Sequence, residues 1–397
     1  MLGVFGERAN KNTEQTTDKK ENKMLRFLTA GESHGKCLVG ILEGLPAGLK
    51  IDKREIDGEL ARRQKGYGRS PRMKMEKDRV EVLAGSRKGK TIGAPLALLI
   101  KNKDFKIDAL PHVYSPRPGH ADLAGALKYN TADIRDVLER ASARETAMRV
   151  AIGAVCKTLL QEFKIEIISH VTRIGAVYAR TQELSFNQLR QKAAKSCTSC
   201  ADKVAGAGMV AEIDRAKEQG DSLGGVFELI AINLPAGLGS FAHWERRLDA
   251  RLSASLMSIP GVKAVEIGAG FSGASRRGSQ AHDAIFYSPA KGFFRKTNFA
   301  GGLEGGMTNG EPLLLRCAMK PIATLKNPLA SVNIKGKRPT EAAVERADVC
   351  ALPACGVVGE ACVSFCLAEA LLEKFGGDSL TETKRNYRGY LKQVSAF

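Results

Sequence analysis

Aromatic residues are scarce: Phe, Trp and Tyr make up 6% of the 397 positions, with one tryptophan, Trp244. So few ring faces offer little stacking platform for single-stranded nucleic acid. No uninterrupted apolar stretch approaches the ~20 residues of a membrane span, so a soluble protein without a membrane partner is expected. Residues 1–23 are polar, lack period and lack the apolar run of a secretory signal. A disordered tail, or a start placed too early, is the expectation there. The chain shows no H-E-x-x-H, no EF-hand loop and no Gly-Lys-Ser/Thr phosphate loop, and the six histidines have no ligand spacing. No metal is expected.

Cysteines number nine, an odd count. Four of them, Cys350, Cys355, Cys362 and Cys366, fall in an apolar stretch and read as core; a reducing cytoplasm is expected. Cys197 and Cys200 have C-x-x-C spacing without a second pair or a nearby histidine, so a plain helical or loop segment is preferred to zinc or redox chemistry.

What is present is ordinary globular composition, 43% apolar and 26% charged. The length exceeds the usual size of one hydrophobic core, so two lobes or two domains are expected. Sixty-one Lys plus Arg against 43 Asp plus Glu leave a net charge of +18. That balance favours anionic partners: nucleic acid, a membrane surface, or phosphorylated and carboxylated metabolites.

An internal repeat organises the chain. Leu45-Pro46-Ala47-Gly48-Leu49 returns as Leu234-Pro235-Ala236-Gly237-Leu238, each after a strand-like run and before a helix candidate, 52–65 (with Asp52 and Glu55 spaced as a capping box) and 243–257. VEVLAG at 80–85 returns as VEIGAG at 265–270, and GAPLALLI from Gly93 as GEPLLLRC from Gly310. Arg117-Pro118 is echoed by Lys320-Pro321, and Glu139-Arg140-Ala141-Ser142 by Glu345-Arg346-Ala347-Asp348. Long helices are expected at 146–163 and 358–375. Five matches in one order argue for a duplicated unit, with a cleft where the two copies meet.

Several constellations could carry chemistry in such a cleft. In Gly31-Glu32-Ser33-His34-Gly35, flanking glycines let the backbone turn and expose Ser33 and His34; a proton donor to a departing anion and a satisfied turn histidine are equal readings. Arg117-Pro118-Gly119-His120 is a rigid loop holding guanidinium beside imidazole, suited to an anion that changes charge, with a surface turn as the bland reading. Arg140-Ala141-Ser142-Ala143-Arg144 opens a helix, where free amides and flanking arginines make an anion site. The basic loop from Arg62 through Arg63 and Arg69 to Arg72 suits nucleic acid, a phosphate clamp or a solvated face. Gly268 to Gly273 fits G-x-G-x-x-G, but no helical period or acidic residue follows at the required distance, which argues against a nicotinamide-binding Rossmann motif here. Gly301 to Gly310 would let a flat ligand approach the backbone, and Lys320 adds a cation beside a rigid turn. Asp348 is a carboxylate in an otherwise apolar stretch, either a base or a helix cap.

In order, GESHG, RRQKGYGR, RPGHAD, ERASARET, GGLEGGMTNG, KPIAT and VERAD closely resemble the chorismate synthase family, from about residue 24 to 375. The resemblance implies an α+β fold: a β-α-β sandwich with an internal pseudo-twofold repeat, two antiparallel sheets inside and helices outside. It makes 24–397 one catalytic domain with pseudo-repeats at about 24–165 and 166–376, assembled as a homotetramer. It implies a lyase that eliminates phosphate from 5-enolpyruvylshikimate 3-phosphate to give chorismate, the last step of the shikimate pathway, with reduced FMN as cofactor. FAD is the related flavin; NADPH or a separate flavin reductase would supply electrons. His34, His120 and Asp348 would be catalytic, with Ser33 and Ser142 as relays. Arg63, Arg69, Arg117 and Arg144 would bind substrate, or NADP. Flavin would be held by Arg140, Ala141, Ser142 and Gly305, by the turn Lys320, Pro321, Ile322, Ala323 and Thr324, and by Arg346. Pro260 and Gly261 stand where relatives often have Asn or Gln followed by Ala, and would contact flavin through backbone. The competing reading is a basic nucleic-acid-binding protein, with charge spread over one face.

Overall fold

Two antiparallel sheets carry the chain, which a computed structural model describes for residues 25–70, 76–345 and 347–397. The expected tail, Arg72 and Arg346 lie outside the described residues. The first sheet contains β1 (Arg26–Ala30), β2 (Cys37–Glu43), β3 (Val80–Ala84) and β4 (Leu96–Lys101) in the order β1-β2-β4-β3. The second contains β5 (Glu166–Ile174), β6 (Val177–Tyr178), β7 (Gly225–Ile232), β8 (Val262–Ile267) and β9 (Leu313–Met319) in the order β8-β9-β7-β5-β6. Leaving out β6 and reading from β5, the second order repeats the first.

Both Leu-Pro-Ala-Gly-Leu turns are closed by a threonine that follows later in the chain, 45 positions after Pro46 in the first copy and 73 after Pro235 in the second. Gly48 N donates to Thr91 O at 2.9 Å, Leu49 N to Thr91 Oγ1 at 2.9 Å, and Thr91 Oγ1 to Pro46 O at 2.6 Å. Gly237 N, Leu238 N and Thr308 repeat the pattern at 2.7, 2.8 and 2.6 Å, the last to Pro235 O. Gly48 and Gly237 have φ of 91° and 87°, where only glycine is at ease.

Nine helices of seven residues or more occur among the described residues. They are α1 (Lys53–Gln64), α2 (Asp122–Tyr129), α3 (Arg135–Ala141), α4 (Thr146–Gln161), α5 (Phe186–Lys195), α6 (Lys203–Glu218), α7 (Leu248–Met257), α8 (Leu352–Phe375) and α9 (Leu380–Ala396). Asp52 caps α1 by accepting from Arg54 N, while Glu55 accepts from Thr158 and does not complete the expected box. The last helix of the second half starts six residues earlier than periodicity suggested, because Pro353 suits a first helical turn.

The layer order corrects the expectation of sheets inside and helices outside. Helix α8 has 20 of its 24 residues buried, and it packs on α4, α1 and α7 as well as on β5 and β7, while α4 rests on β2 and β4. The long helices are therefore the middle layer and the sheets lie outside them. A helix apolar on every side has to sit in the centre, whereas each sheet can bury one face and leave the other outward. Helix α8 is long and apolar enough to cross a membrane, but it is buried as a core element. A Cβ on Gly153 of α4 would lie 2.3 Å from Ala361 Cβ of α8, so glycine is what lets the two helices touch.

One charge sits inside this layer. Glu360 on α8 accepts from Arg62 at 2.6 and 2.8 Å, from Lys157 at 2.7 Å, and from the Ser169 amide and hydroxyl at 2.9 and 2.8 Å. Burial alone would push its carboxyl up; Lys157 and Arg62 outweigh burial and hold it well below the usual carboxylate range. Its stabilisation is therefore complete above the unfolded-state value of ~4.3 and is lost as pH falls toward the folded-state value. Glu360→Ala, which leaves Lys157 and Arg62 facing a cavity, should lower unfolding free energy by about 3–5 kcal/mol in urea titrations at neutral pH.

Candidate functional site

Loops from both halves meet over the helix layer around a cavity of about 460 Å3. Its first wall is the loop after β1. Gly31 has φ of 112°, and a Cβ there would collide with the Cys37 carbonyl at 2.3 Å. Ser33 N donates to Glu139 O at 3.0 Å and His34 N to Glu139 Oε2 at 2.7 Å. Asn102 Nδ2 donates to Gly35 O at 2.7 Å and Glu32 O at 3.1 Å from the other side. Ser33 and His34 thus face the cavity on a loop tied at several points.

The two histidines that line the cavity each contact a buried carboxylate through Nδ1. For His34 the partner is Glu139 Oε1 at 2.8 Å, and for His120 it is Asp122 Oδ1 at 2.5 Å. Asp122 also accepts from Arg117 N at 3.0 Å, Nε at 2.8 Å and Nη2 at 3.0 Å, while Arg117 Nη1 donates to Thr324 Oγ1 at 2.8 Å. Burial would raise both carboxyls, but hydrogen bonds from His120 and Arg117 hold Asp122 well below the usual range, and those from His34 lower Glu139. The Lys320 ammonium donates to Gly119 O and so ties the His120 loop to the 320–324 turn.

Below these loops lies a group of buried arginines. Ser142 Oγ accepts from Arg144 N and donates to Ser33 Oγ, both at 3.3 Å, and caps the short turn Ala143–Glu145 ahead of α4. Arg144 donates through Nε to Asn102 Oδ1 at 2.9 Å and through Nη1 to both Asp78 oxygens at 2.7 and 2.8 Å. Arg63 donates to Thr146 Oγ1 at 3.0 Å and Ala143 O at 2.8 Å. Arg63 Nη1 and Arg144 Nη2 are buried without a hydrogen-bond partner among the described residues. Burial pushes the Arg63 guanidinium down to about 10; Asp78 opposes this, and neighbouring Arg144 and Arg69 add to it. Arg69 Nη1 lies 3.2 Å from Asp348 Oδ2, and Ser70 N donates to Asp348 Oδ1 at 2.6 Å. Asp348 therefore meets a cation and an amide at the cavity wall, not the apolar surroundings its sequence neighbours suggested. Such concentrated positive charge with unused donors suits a ligand bearing several anionic groups.

The structure brings together Ser33, His34, Arg63, Arg69, Arg117 and His120 with Ala141, Ser142, Arg144 and Asp348; Pro260, Gly261 and the whole turn Lys320 to Thr324 complete the set. Arg140 and Gly305 do not join it in this chain. The Arg140 guanidinium is turned to the Gly31 and Thr29 carbonyls, each at 3.0 Å, because it sits at the outer end of α3. Gly305 lies in the turn between Leu303–Glu304 and Met307–Thr308, beside Phe241. Unexpected from sequence are Glu139, Asp122, Asn102 and Asp78, which hold the lining residues, and Lys263, a cation in the wall. Only Asp122, two residues after His120, had a local signal. Leu138, Ile259, Met319 and Val358 supply apolar wall. Cys197 is exposed and Cys200 buried, and no group of three or more His, Cys, Asp or Glu among the described residues could hold a metal ion.

The chorismate synthase family pattern matches residues 25–372. A chorismate synthase of Desulforudis audaxviator is 55% identical over 385 residues, covering 94% of this chain and 99% of that protein. One of Symbiobacterium thermophilum is 54% identical, covering 94% and 100%. A crystal structure of a chorismate synthase superposes with a TM-score of 0.79 at 45% identity, covering 94% of this chain and 99% of the other. With its cavity built from the motifs that suggested the resemblance, the chain belongs to the chorismate synthase family.

Proposed function

We propose that the cavity is where 5-enolpyruvylshikimate 3-phosphate loses phosphate across a 1,4 relationship to give chorismate. As a member of its family the chain is a chorismate-forming lyase of aromatic amino-acid biosynthesis. The observation that carries the placement is the convergence of Arg63, Arg69, Arg117 and Arg144 with two carboxylate-backed histidines around one cavity. That convergence favours a small polyanion over the nucleic-acid reading, which needs charge spread along an outer face.

The substrate carries two carboxylates and a phosphate, and Arg63 and Arg144 have buried donors left to meet them. Arg69, beside Asp348, would add a third cation. Arg117 makes three of its donors available to Asp122 and one to Thr324, so its share in binding substrate comes from what remains. The scissile C–H bond has no neighbouring carbonyl to acidify it, so an ordinary base is inadequate.

Residues fit a reduced FMN on two counts: buried guanidinium nitrogens lack partners, and an apolar wall of Ile259, Met319 and Val358 faces them. Reduced FMN bound there would supply the electron density that phosphate departure needs and would recover it with the hydrogen that the ring loses. Ala141, Ser142, Pro260, Gly261 and Lys320 to Thr324 would hold it, with Arg346 as a further candidate. His34 would protonate the departing phosphate, and His120 would donate to the bound flavin and favour its anionic reduced form. Asp348 would manage the proton at the flavin, with Ser142 and Ser33, in hydrogen-bond contact with each other, as relays. NADPH or a separate reductase would keep the flavin reduced.

The matching sheet orders and threonine-closed turns support a pseudo-twofold repeat at about 24–165 and 166–376 within one catalytic domain. Leu28, 75% exposed, stands opposite exposed Ile41 across β1 and β2, which supports assembly through the outer sheet faces, as in a homotetramer. All nine cysteines are free, in keeping with the cytoplasm.

Protein, FMN, dithionite and substrate combined without oxygen should generate chorismate absorbance; its absence counts against the placement. With NADPH as sole reductant, turnover under the same conditions would assign reductase activity to the chain itself. Asp348→Ala should keep flavin binding while kcat falls by about a hundredfold or more. Unchanged turnover removes Asp348 from the chemistry.

A further inference from the structure

Glu139 does not line the cavity, yet it holds both residues at the tip of the loop after β1. Its Oε1 lies 2.8 Å from His34 Nδ1, its Oε2 accepts His34 N at 2.7 Å, and its carbonyl accepts Ser33 N at 3.0 Å. The side chain is 1% exposed, a costly place for a carboxylate. Behind it, Arg135 is 3.5 Å from Oε1 and pairs with Glu345 at 3.0 Å. Packing alone would be served by an apolar residue at this position of α3. The arrangement is repeated at His120 with Asp122, on a different loop and a different helix.

We infer that Glu139 is a positioning residue for His34, fixing the ring so that Nδ1–H stays donated to Glu139 and Nε2 alone exchanges a proton with the ligand. This rests on the proposed role of His34. In the transfer, the Nε2–H bond of the imidazolium breaks and a new O–H bond forms on the phosphate as its C–O bond breaks. Neutral imidazole remains, still donating from Nδ1, and the carboxylate keeps its charge throughout. The other charged groups around His34 are Asp104, with Oδ2 3.9 Å from Nε2, and Lys106, 3.2 Å from Asp104 Oδ1. Lys106 and Ile107 reach His34 only by donating backbone amides to its carbonyl, at 3.0 and 3.1 Å. Glu139 is thus the carboxylate in direct contact with the ring.

The test is Glu139→Gln in the full chain, assayed anaerobically with reduced FMN and substrate across pH. Because Glu139 touches no ligand, kcat should fall about tenfold or more while KM and flavin affinity stay within about twofold. Removing a negative charge from the imidazolium should move the alkaline limb of the kcat profile to lower pH. Added to His34→Ala, the same substitution should cost nothing further: the glutamine oxygen can still accept the backbone N of residue 34, and the ring contact it removes is already gone. An unmoved pH limb, or losses that multiply in the double variant, overturns the inference. Should Glu139→Gln fail to fold, Glu139→Asp carries the test: it keeps the charge on a shorter arm, so kcat should fall with the limb in place, and an unchanged kcat overturns the inference. Near-normal turnover by His34→Ala would instead remove the role of His34 itself. A dead His34→Ala beside a fully active Glu139→Gln would remove only the role of Glu139.

Discussion

A guanidinium taken out of water has to be matched by negative charge, yet a site for a polyanion needs positive charge left over. The cavity resolves this conflict by matching its arginines incompletely. Asp122 answers Arg117, Asp348 answers Arg69, and Asp78 answers Arg144 through one edge while Glu76 stands 3.8 Å from the other. Arg63, held by a hydroxyl and a carbonyl and 3.8 Å from Asp78, is the member left least compensated, and burial lowers it to about 10. Excess charge of this kind is expensive in the folded protein and favourable once a ligand arrives, so the site is prepared for binding at some expense of stability.

That preparation depends on residues that never reach the cavity. Asn102 spans the loop of His34 and the guanidinium of Arg144, so one amide sets the distance between the proposed proton donor and a substrate anchor. Lys320, which does line the cavity, ties the His120 loop to the turn from 320 to 324 in the same way. Rigid support of this type is what keeps groups from distant parts of the chain within reach of one ligand.

Much of this was legible in the sequence, and the reasons differ by residue. The strands and long helices showed through because their apolar period is local. The duplicated turn showed through because Gly48 and Gly237 need positive φ, and short motifs of that kind survive in recognisable form. His34, His120 and the arginines could be named because they sit in glycine-bounded motifs. The layer order, taken from the resemblance with sheets inside, was misread, and the sequence could not correct it, since composition says that α8 is apolar but not which elements surround it. Glu139, Asn102 and Asp78 went unseen because their partners lie 105, 42 and 66 positions away. Arg140 was placed in the flavin set by the family resemblance, but a helix turns successive side chains by about 100°, and in this chain its guanidinium goes to the Gly31 and Thr29 carbonyls.

The contact of Gly153 with Ala361 has one more effect. With no side chain between them, α4 and α8 join the two halves along their inner surface, and neither half can swing away from the other without opening the middle of the molecule. Separating the halves would expose the buried surface of both helices, so moving the loops at the rim costs less than opening as a pair of jaws would.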